Sequence, residues 1–81
     1  MTLHFTERLR KSYEAAPGQV RKAFDKQTRL LAENLRHPSL RAKKYDEARG
    51  VWQARVNGDW RFYFTIDGDV YNIIGMTAHP K

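Results

Sequence analysis

Residues 50–64 read GVWQARVNGDWRFYF, two alternating runs joined by the turn-forming residues Asn57-Gly58-Asp59. Successive side chains of a β-strand point to opposite faces of the sheet. One face therefore carries the apolar members of the two runs, which are Trp52, Ala54, Val56, Trp60, Phe62, Phe64 and Ile66. The other face carries Gln53, Arg55, Arg61, Tyr63 and Thr65. The pattern predicts a hairpin with one side buried and a cationic side left open.

The length of the turn determines which residues face each other across this hairpin. A two-residue Asn57-Gly58 turn, common for this dipeptide, would place Arg55 opposite Trp60 and mix the faces. A three-residue loop keeps the large apolar side chains together and gives the pairs Arg55–Arg61, Gln53–Tyr63 and Ala54–Phe62. We predict the three-residue loop. Opposed arginines repel each other, and an anion site requires such a pair, although a solvated sheet face would also carry it.

Length and composition indicate a single domain, residues 1–81, that buries about 60% of its unfolded surface. The 41% hydrophobic fraction, with four Phe, four Tyr and two Trp, favours a packed core over disorder. Because there is no cysteine, disulfides and thiolate chemistry are excluded. The first eleven residues lack a signal-like apolar run, and no stretch approaches the roughly 18 apolar residues of a membrane span. We expect a soluble, cytoplasmic protein that does not bind membranes.

The charge balance points to a polyanionic partner. Fifteen Lys and Arg against nine Asp and Glu give a formal net charge of +6. The window 36–44 contains no acid and includes Arg41, Lys43 and Lys44. We predict that these three side chains bind nucleic acid, the alternative being a solvated loop.

Local sequence signals indicate where the remaining helices and strands begin and end. Residues 2–5 alternate as a short strand, and Thr6 can cap a helix that runs to about Ala15. Pro17 suits the start of a second helix, which presents an apolar stripe and which His37-Pro38 should end. We expect a basic loop over residues 38–50. The sequence thus predicts an α+β fold in which two N-terminal helices pack on one face of a small, mainly antiparallel twisted sheet.

The last strand, over residues 70–77, follows a turn at Asp67-Gly68. A two-residue turn would put Tyr71, Ile73 and Gly75 on the core side, and a three-residue turn would reverse this. The sequence leaves both open.

The sequence contains no phosphate-binding loop, no dinucleotide-binding glycine pattern and no metal-ligand spacing. Among the reaction classes considered, this leaves phosphate chemistry that needs no metal or cofactor. Arg55 and Arg61 could stabilise a phosphorane, but their charge is permanent and they are poor proton carriers. His79, just past the final strand, is the candidate acid or base; the alternative is a tail residue without a role.

At these residues the chain resembles the RelE/ParE superfamily of bacterial toxins. The resemblance covers nearly the whole chain and is strongest at residues 52–56 and 59–64, centred on Arg61. In RelE the strand arginine that corresponds to Arg61 is catalytic, and a lysine pair falls at Gln53 and Arg55. In the YafQ branch a histidine aligns with Arg55, an aspartate with Asp59, and a C-terminal histidine is similar to His79. A glutamine at position 53 departs from this pattern, and we expect no counterpart of the C-terminal tyrosine of RelE after Lys81.

The resemblance implies the toxin component of a type II toxin–antitoxin module, acting as a metal-independent, ribosome-dependent mRNA endoribonuclease. Its partners would be a cognate antitoxin, the ribosome and mRNA, with higher-order toxin–antitoxin complexes. Besides the catalytic candidates Arg55, Arg61 and His79, RNA or ribosome contacts would involve Arg41, Lys43, Lys44, Gln53, Asp59, Tyr63 and Lys81. Two alternatives are a ParE-like DNA gyrase poison without RNase activity and a non-catalytic RNA-binding module.

Overall fold

The computed structural model describes residues 1–78, which form a five-stranded sheet and two α-helices. The elements are β1 (Thr2–Phe5), α1 (Glu7–Ala15), α2 (Gly18–Glu33), β2 (Lys43–Asp46), β3 (Val51–Arg55), β4 (Trp60–Asp67) and β5 (Val70–Ala78). The strand order is β1-β5-β4-β3-β2, with β1 parallel to β5 and the other pairs antiparallel. The predicted α+β architecture is confirmed: the predicted strand β1 lies at one edge of the sheet, and β2 adds an unpredicted strand at the other edge.

The apolar face of the hairpin lies against the helices. Leu9 of α1 and Phe24 of α2 belong to the same core cluster as Phe62, Phe64 and Ile73. The rings of Phe24 and Phe62 meet edge to face at 5.5 Å between centroids. No helix among residues 1–78 is both long enough and apolar enough to cross a bilayer.

Capping fixes where α1 begins. The Thr6 hydroxyl accepts a hydrogen bond from the Leu9 N–H at 3.2 Å and donates to the Ile73 carbonyl at 3.1 Å. The predicted cap is therefore confirmed, and it also joins α1 to β5. Farther along α1, the Tyr13 hydroxyl donates to the Asp25 carboxylate of α2. Desolvation and this hydrogen bond raise the pKa of Tyr13, so its hydroxyl keeps the proton that it donates to a higher pH than an ordinary tyrosine would.

The second helix ends earlier than predicted, at Glu33 rather than at His37. Asn34 is extended, its N–H donates to the Leu30 carbonyl, and its side chain accepts from the Arg36 N–H at 3.0 Å. An asparagine side chain that bonds the backbone two residues ahead competes with the helical pattern. The local chemistry of Asn34 therefore ends the helix before the proline can.

The predicted basic loop over residues 38–50 is also wrong. It contains a short 3-10 helix, Pro38–Leu40, followed by strand β2 at the edge of the sheet. In β2, Lys43 pairs with Gln53, whereas Lys44 pairs with Trp52 and places its Nζ 5.1 Å from the centroid of that ring. The two lysines consequently lie on opposite faces of the sheet.

The predicted hairpin register between β3 and β4 is confirmed. Arg55 faces Arg61, and the next pairs are Ala54–Phe62 and Gln53–Tyr63. The Asn57 side chain stabilises the three-residue loop by accepting hydrogen bonds from the N–H groups of Asp59 at 2.8 Å and Trp60 at 3.0 Å.

A β-bulge determines which side chains of each half of β5 face the core. Near the turn Phe64 pairs with Ile73, but after the bulge Phe62 pairs with Met76. Both pairs are buried, because one extra residue in β5 shifts the register between them. Gly75 and Thr77 therefore lie on the polar face, beside Tyr63 and Arg61. Neither of the two turn lengths considered from the sequence predicts this outcome for the whole strand.

Candidate functional site

The arginine pair lies at the end of the β3–β4 hairpin, on the polar face. Arg61 Nη1 donates to the carbonyl oxygens of Asn57 at 2.8 Å and Trp60 at 3.0 Å. Arg55 reaches the same turn: a Cβ placed on Gly58 would lie 3.6 Å from Arg55 Nη2. Both arginine side chains are half-buried. The turn thus gathers two guanidinium groups at one end of the sheet.

These contacts orient Arg61 without removing its charge. Carbonyl oxygens are neutral acceptors, so the two bonds from Arg61 leave its positive charge uncompensated by them. A guanidinium has five N–H donors, and Nη1 alone makes both bonds. Bidentate binding of phosphate oxygens is the interaction for which a fixed guanidinium is best suited.

A buried amide holds the arginine-bearing end of β3 in place. Gln27 of α2 is 6% exposed, and its Nε2 donates to the carbonyls of Arg55 at 2.9 Å and Ser39 at 3.1 Å. Sequence reasoning missed this residue, although its spacing from Phe24 and Leu31 puts a polar side chain on the apolar stripe. Gln27 is therefore a candidate positioning residue for the arginine pair.

The next row of the polar face holds Gln53 and Tyr63. Gln53 is only 8% exposed and donates from Nε2 to the Tyr63 hydroxyl at 3.2 Å. Its neighbours in the sheet are Lys43 on β2 and, beyond Tyr63, Gly75 on β5. The predicted contact residues Lys43, Gln53 and Tyr63 thus adjoin the arginine pair on one face.

Beside this row is an open groove of ≈ 360 Å³ between α1 and the β2 edge. Among the residues that line the groove are Arg8, Ser12, Tyr45, Asp46, Arg49, Tyr63 and Gly75. Tyr45 and Tyr63 meet edge to face at 5.0 Å between ring centroids. Sequence reasoning missed Arg8, Ser12, Tyr45 and Arg49, because they come together only when α1 and β2 approach the same part of the sheet.

Two of the other predicted site residues, Arg41 and Lys44, lie away from the arginine pair. Arg41, with a left-handed backbone (φ 47°), lines a separate pocket with Trp52, the ring that Lys44 also covers. Asp59 lies in the hairpin loop. His79 and Lys81 fall outside the described residues. The roles of all these side chains stay predictions.

Solved structures of bacterial and archaeal toxins share this fold. The YoeB/ParE toxin from Agrobacterium tumefaciens superposes with a TM-score of 0.80 at 16% identity, covering 99% of this chain and 100% of that one. A chain of the RelB–RelE antitoxin–toxin complex from Methanococcus jannaschii gives 0.78 at 18% identity, covering 93% and 88%. YafQ from E. coli strain BL21(DE3) gives 0.77 at 15% identity, covering 95% and 91%. The predicted RelE/ParE-like fold is confirmed.

Comparison of the sequence alone gives no such relationship: no family model matches it, and neither does any curated protein.

Proposed function

We propose that this chain, which shares its fold with the RelE, YoeB and YafQ toxins, is the toxin component of a type II toxin–antitoxin module that cleaves mRNA on the ribosome. The observation that carries the proposal is the Arg55–Arg61 pair, gathered on the polar face at one hairpin end. Fold alone is shared by proteins of different function, whereas two neighbouring guanidinium groups on an open sheet face are well suited to binding a phosphate. The proposed site of action is the cytoplasm.

In the proposed reaction the RNA supplies its own nucleophile. The 2′-oxygen forms a bond to phosphorus while the bond from phosphorus to the 5′-oxygen breaks, which leaves a 2′,3′-cyclic phosphate and a 5′-hydroxyl. One proton leaves the 2′-hydroxyl and one is given to the departing 5′-oxygen. Arg55 and Arg61 would stabilise the negative charge that accumulates on the phosphorane oxygens. Because both arginines stay charged, a different group must move the protons.

The cationic surface also accounts for an antitoxin partner. The formal net charge of +6 favours an acidic binding segment. The solved RelB–RelE complex holds an antitoxin and a toxin together. We therefore infer a cognate antitoxin that covers the polar face and blocks access of RNA to the arginine pair.

A second candidate is a gyrase poison, favoured by the YoeB/ParE description of the Agrobacterium structure. Two assays on the purified chain separate the functions: cleavage of mRNA on programmed ribosomes, and DNA supercoiling by gyrase. We expect cut mRNA, which depends on the ribosome, and unaffected supercoiling. Intact mRNA together with inhibited supercoiling would establish the second candidate and overturn the first.

The proton-transfer role of His79 is tested by His79→Ala. Histidine is the side chain that exchanges protons near neutral pH, so we expect cleavage to fall about 10²-fold while ribosome affinity changes little. The pH–rate profile should lose a titration near neutral pH. His79→Gln, which cannot titrate, is the matched control and should behave like alanine. An unchanged rate and profile in both variants would assign the proton transfer to another group.

A further inference from the structure

The groove beside the arginine pair has an aromatic lining that the cleavage chemistry above does not use. Tyr45 is 62% exposed, so its ring is accessible to a ligand. Tyr63, its edge-to-face partner, is half-buried and is held by the hydrogen bond from Gln53. An accessible ring supported by a fixed one provides a surface on which a nucleobase can stack.

The polar groups around the two rings include acceptors as well as donors, as the edge of a base requires. Ser12 provides a hydroxyl, and Asp46 and Arg49 form an exposed ion pair at 3.8 Å. A carboxylate repels a phosphate but accepts hydrogen bonds from the amino groups of bases, and a guanidinium donates to their carbonyl and ring-nitrogen acceptors. Donors and acceptors together match the mixed edge of a base.

The position of the groove relative to the arginines supports the same conclusion. Tyr63 is two residues from Arg61 along β4, and Gln53 is two residues from Arg55 along β3, on the same face. Two residues span about 7 Å along a strand, a step that one nucleotide linkage can cover. A phosphate held by the arginines would therefore place an adjoining base at the tyrosines.

Gly75 leaves this part of the face open. It pairs with Tyr63, and a Cβ added to it would meet no other heavy atom within 4 Å. Its side-chain position is thus empty space within the groove.

We propose that the groove is a base-binding subsite, in which Tyr45, supported by Tyr63, stacks on the nucleobase adjoining the phosphate that Arg55 and Arg61 hold. The proposal rests on the proposed function. It adds that the enzyme holds one base of its RNA substrate directly, through Tyr45 and the polar groups around it.

The test measures binding of the purified chain to ribosomes programmed with mRNA whose A-site codon carries 2′-O-methyl groups, so that it cannot be cut. Tyr45→Ala should weaken binding about 5- to 100-fold, the range found when a stacking ring is removed. Tyr45→Phe, which keeps the ring, should bind within about 2-fold of the unchanged chain. Thr65→Val alters the same face outside the groove and should have no effect.

An abasic nucleotide identifies the base concerned. Placed in turn at each codon position, it should weaken binding of the unchanged chain at one of the three. At that position Tyr45→Ala should cause no further loss, because the two changes remove the same contact. If the loss caused by Tyr45→Ala and the loss caused by the abasic nucleotide multiply at every codon position, Tyr45 does not contact a base.

Gly75→Val provides an independent variant, because a Cβ at this position meets no neighbouring heavy atom within 4 Å and the two methyl groups of valine add bulk to the groove. It should weaken binding as Tyr45→Ala does while its melting temperature stays close to that of the unchanged chain. If the unchanged chain binds but both variants bind equally well, the subsite is disproved and the proposed function stands. If the unchanged chain does not bind programmed ribosomes, both proposals fail together.

Discussion

Replacing Arg61 with alanine is expected to lower ribosome-dependent cleavage by about 10²- to 10³-fold, the effect of removing one group that stabilises transition-state charge. The fold should survive. The carbonyl of Trp60 also accepts from the Val56 N–H at 3.0 Å, so it keeps a partner when the guanidinium is lost. We expect the free energy of unfolding to fall by no more than about 2 kcal/mol, partly offset by relief of repulsion from Arg55.

The matched control is Arg29→Ala, which removes the same charge from an exposed position on α2. It should cleave at nearly the normal rate. Single-turnover cleavage by the two variants, with urea unfolding monitored by circular dichroism, separates chemistry from stability. Equal losses of cleavage in both variants would assign the effect to net charge, and normal cleavage by Arg61→Ala would remove Arg61 from the site.

Phe62→Ala, one residue along the same strand, should have the opposite effect. Phe62 is fully buried and contacts the rings of Phe24 and Phe64 at 5.5 and 5.8 Å between centroids. Removing a buried phenyl ring leaves a cavity and lowers the free energy of unfolding by about 3–5 kcal/mol. This is a large share of the roughly 5–15 kcal/mol that stabilises a typical domain.

Urea unfolding at low temperature measures this loss, with Ile66→Ala as control. Ile66 is an apolar residue of the same strand but is 37% exposed, so its truncation should cost less than about 1 kcal/mol. Similar losses for Phe62→Ala and Arg61→Ala would mean that the two faces of β4 are not divided into core and site.

The hairpin could be predicted from the sequence because its register follows from a single rule. Only the three-residue loop puts Ala54 beside Phe62 and keeps Arg55 beside Arg61, and burying an arginine among aromatic rings is too unfavourable to compete. Strand β2 gives no comparable signal. Lys43, Lys44 and Tyr45 are all exposed, so no apolar alternation distinguishes an edge strand from a loop.

The bulge and the groove depend on contacts that are distant in sequence. The register of β5 changes so that Ile73 and Met76 are both buried, a requirement set by the helices above the sheet rather than by the turn at Gly68. Sequence reasoning could place the two arginines of the candidate site opposite each other because they occupy one hairpin. It could not identify Tyr45 or Arg8, which come from segments far apart in the chain.

The hydrogen bonds of Gln27 have a consequence for the motions of the hairpin. Opening the Arg55 end of β3 would break the hydrogen bond from Gln27 Nε2 to the Arg55 carbonyl, and would leave one N–H of this buried amide without its partner. In hydrogen-exchange experiments we therefore expect the Val56 amide to exchange only through global unfolding, more slowly than amides at the Gly68 turn. The hairpin that carries the arginines would then be ordered before RNA binds, and it would lose little conformational entropy on binding.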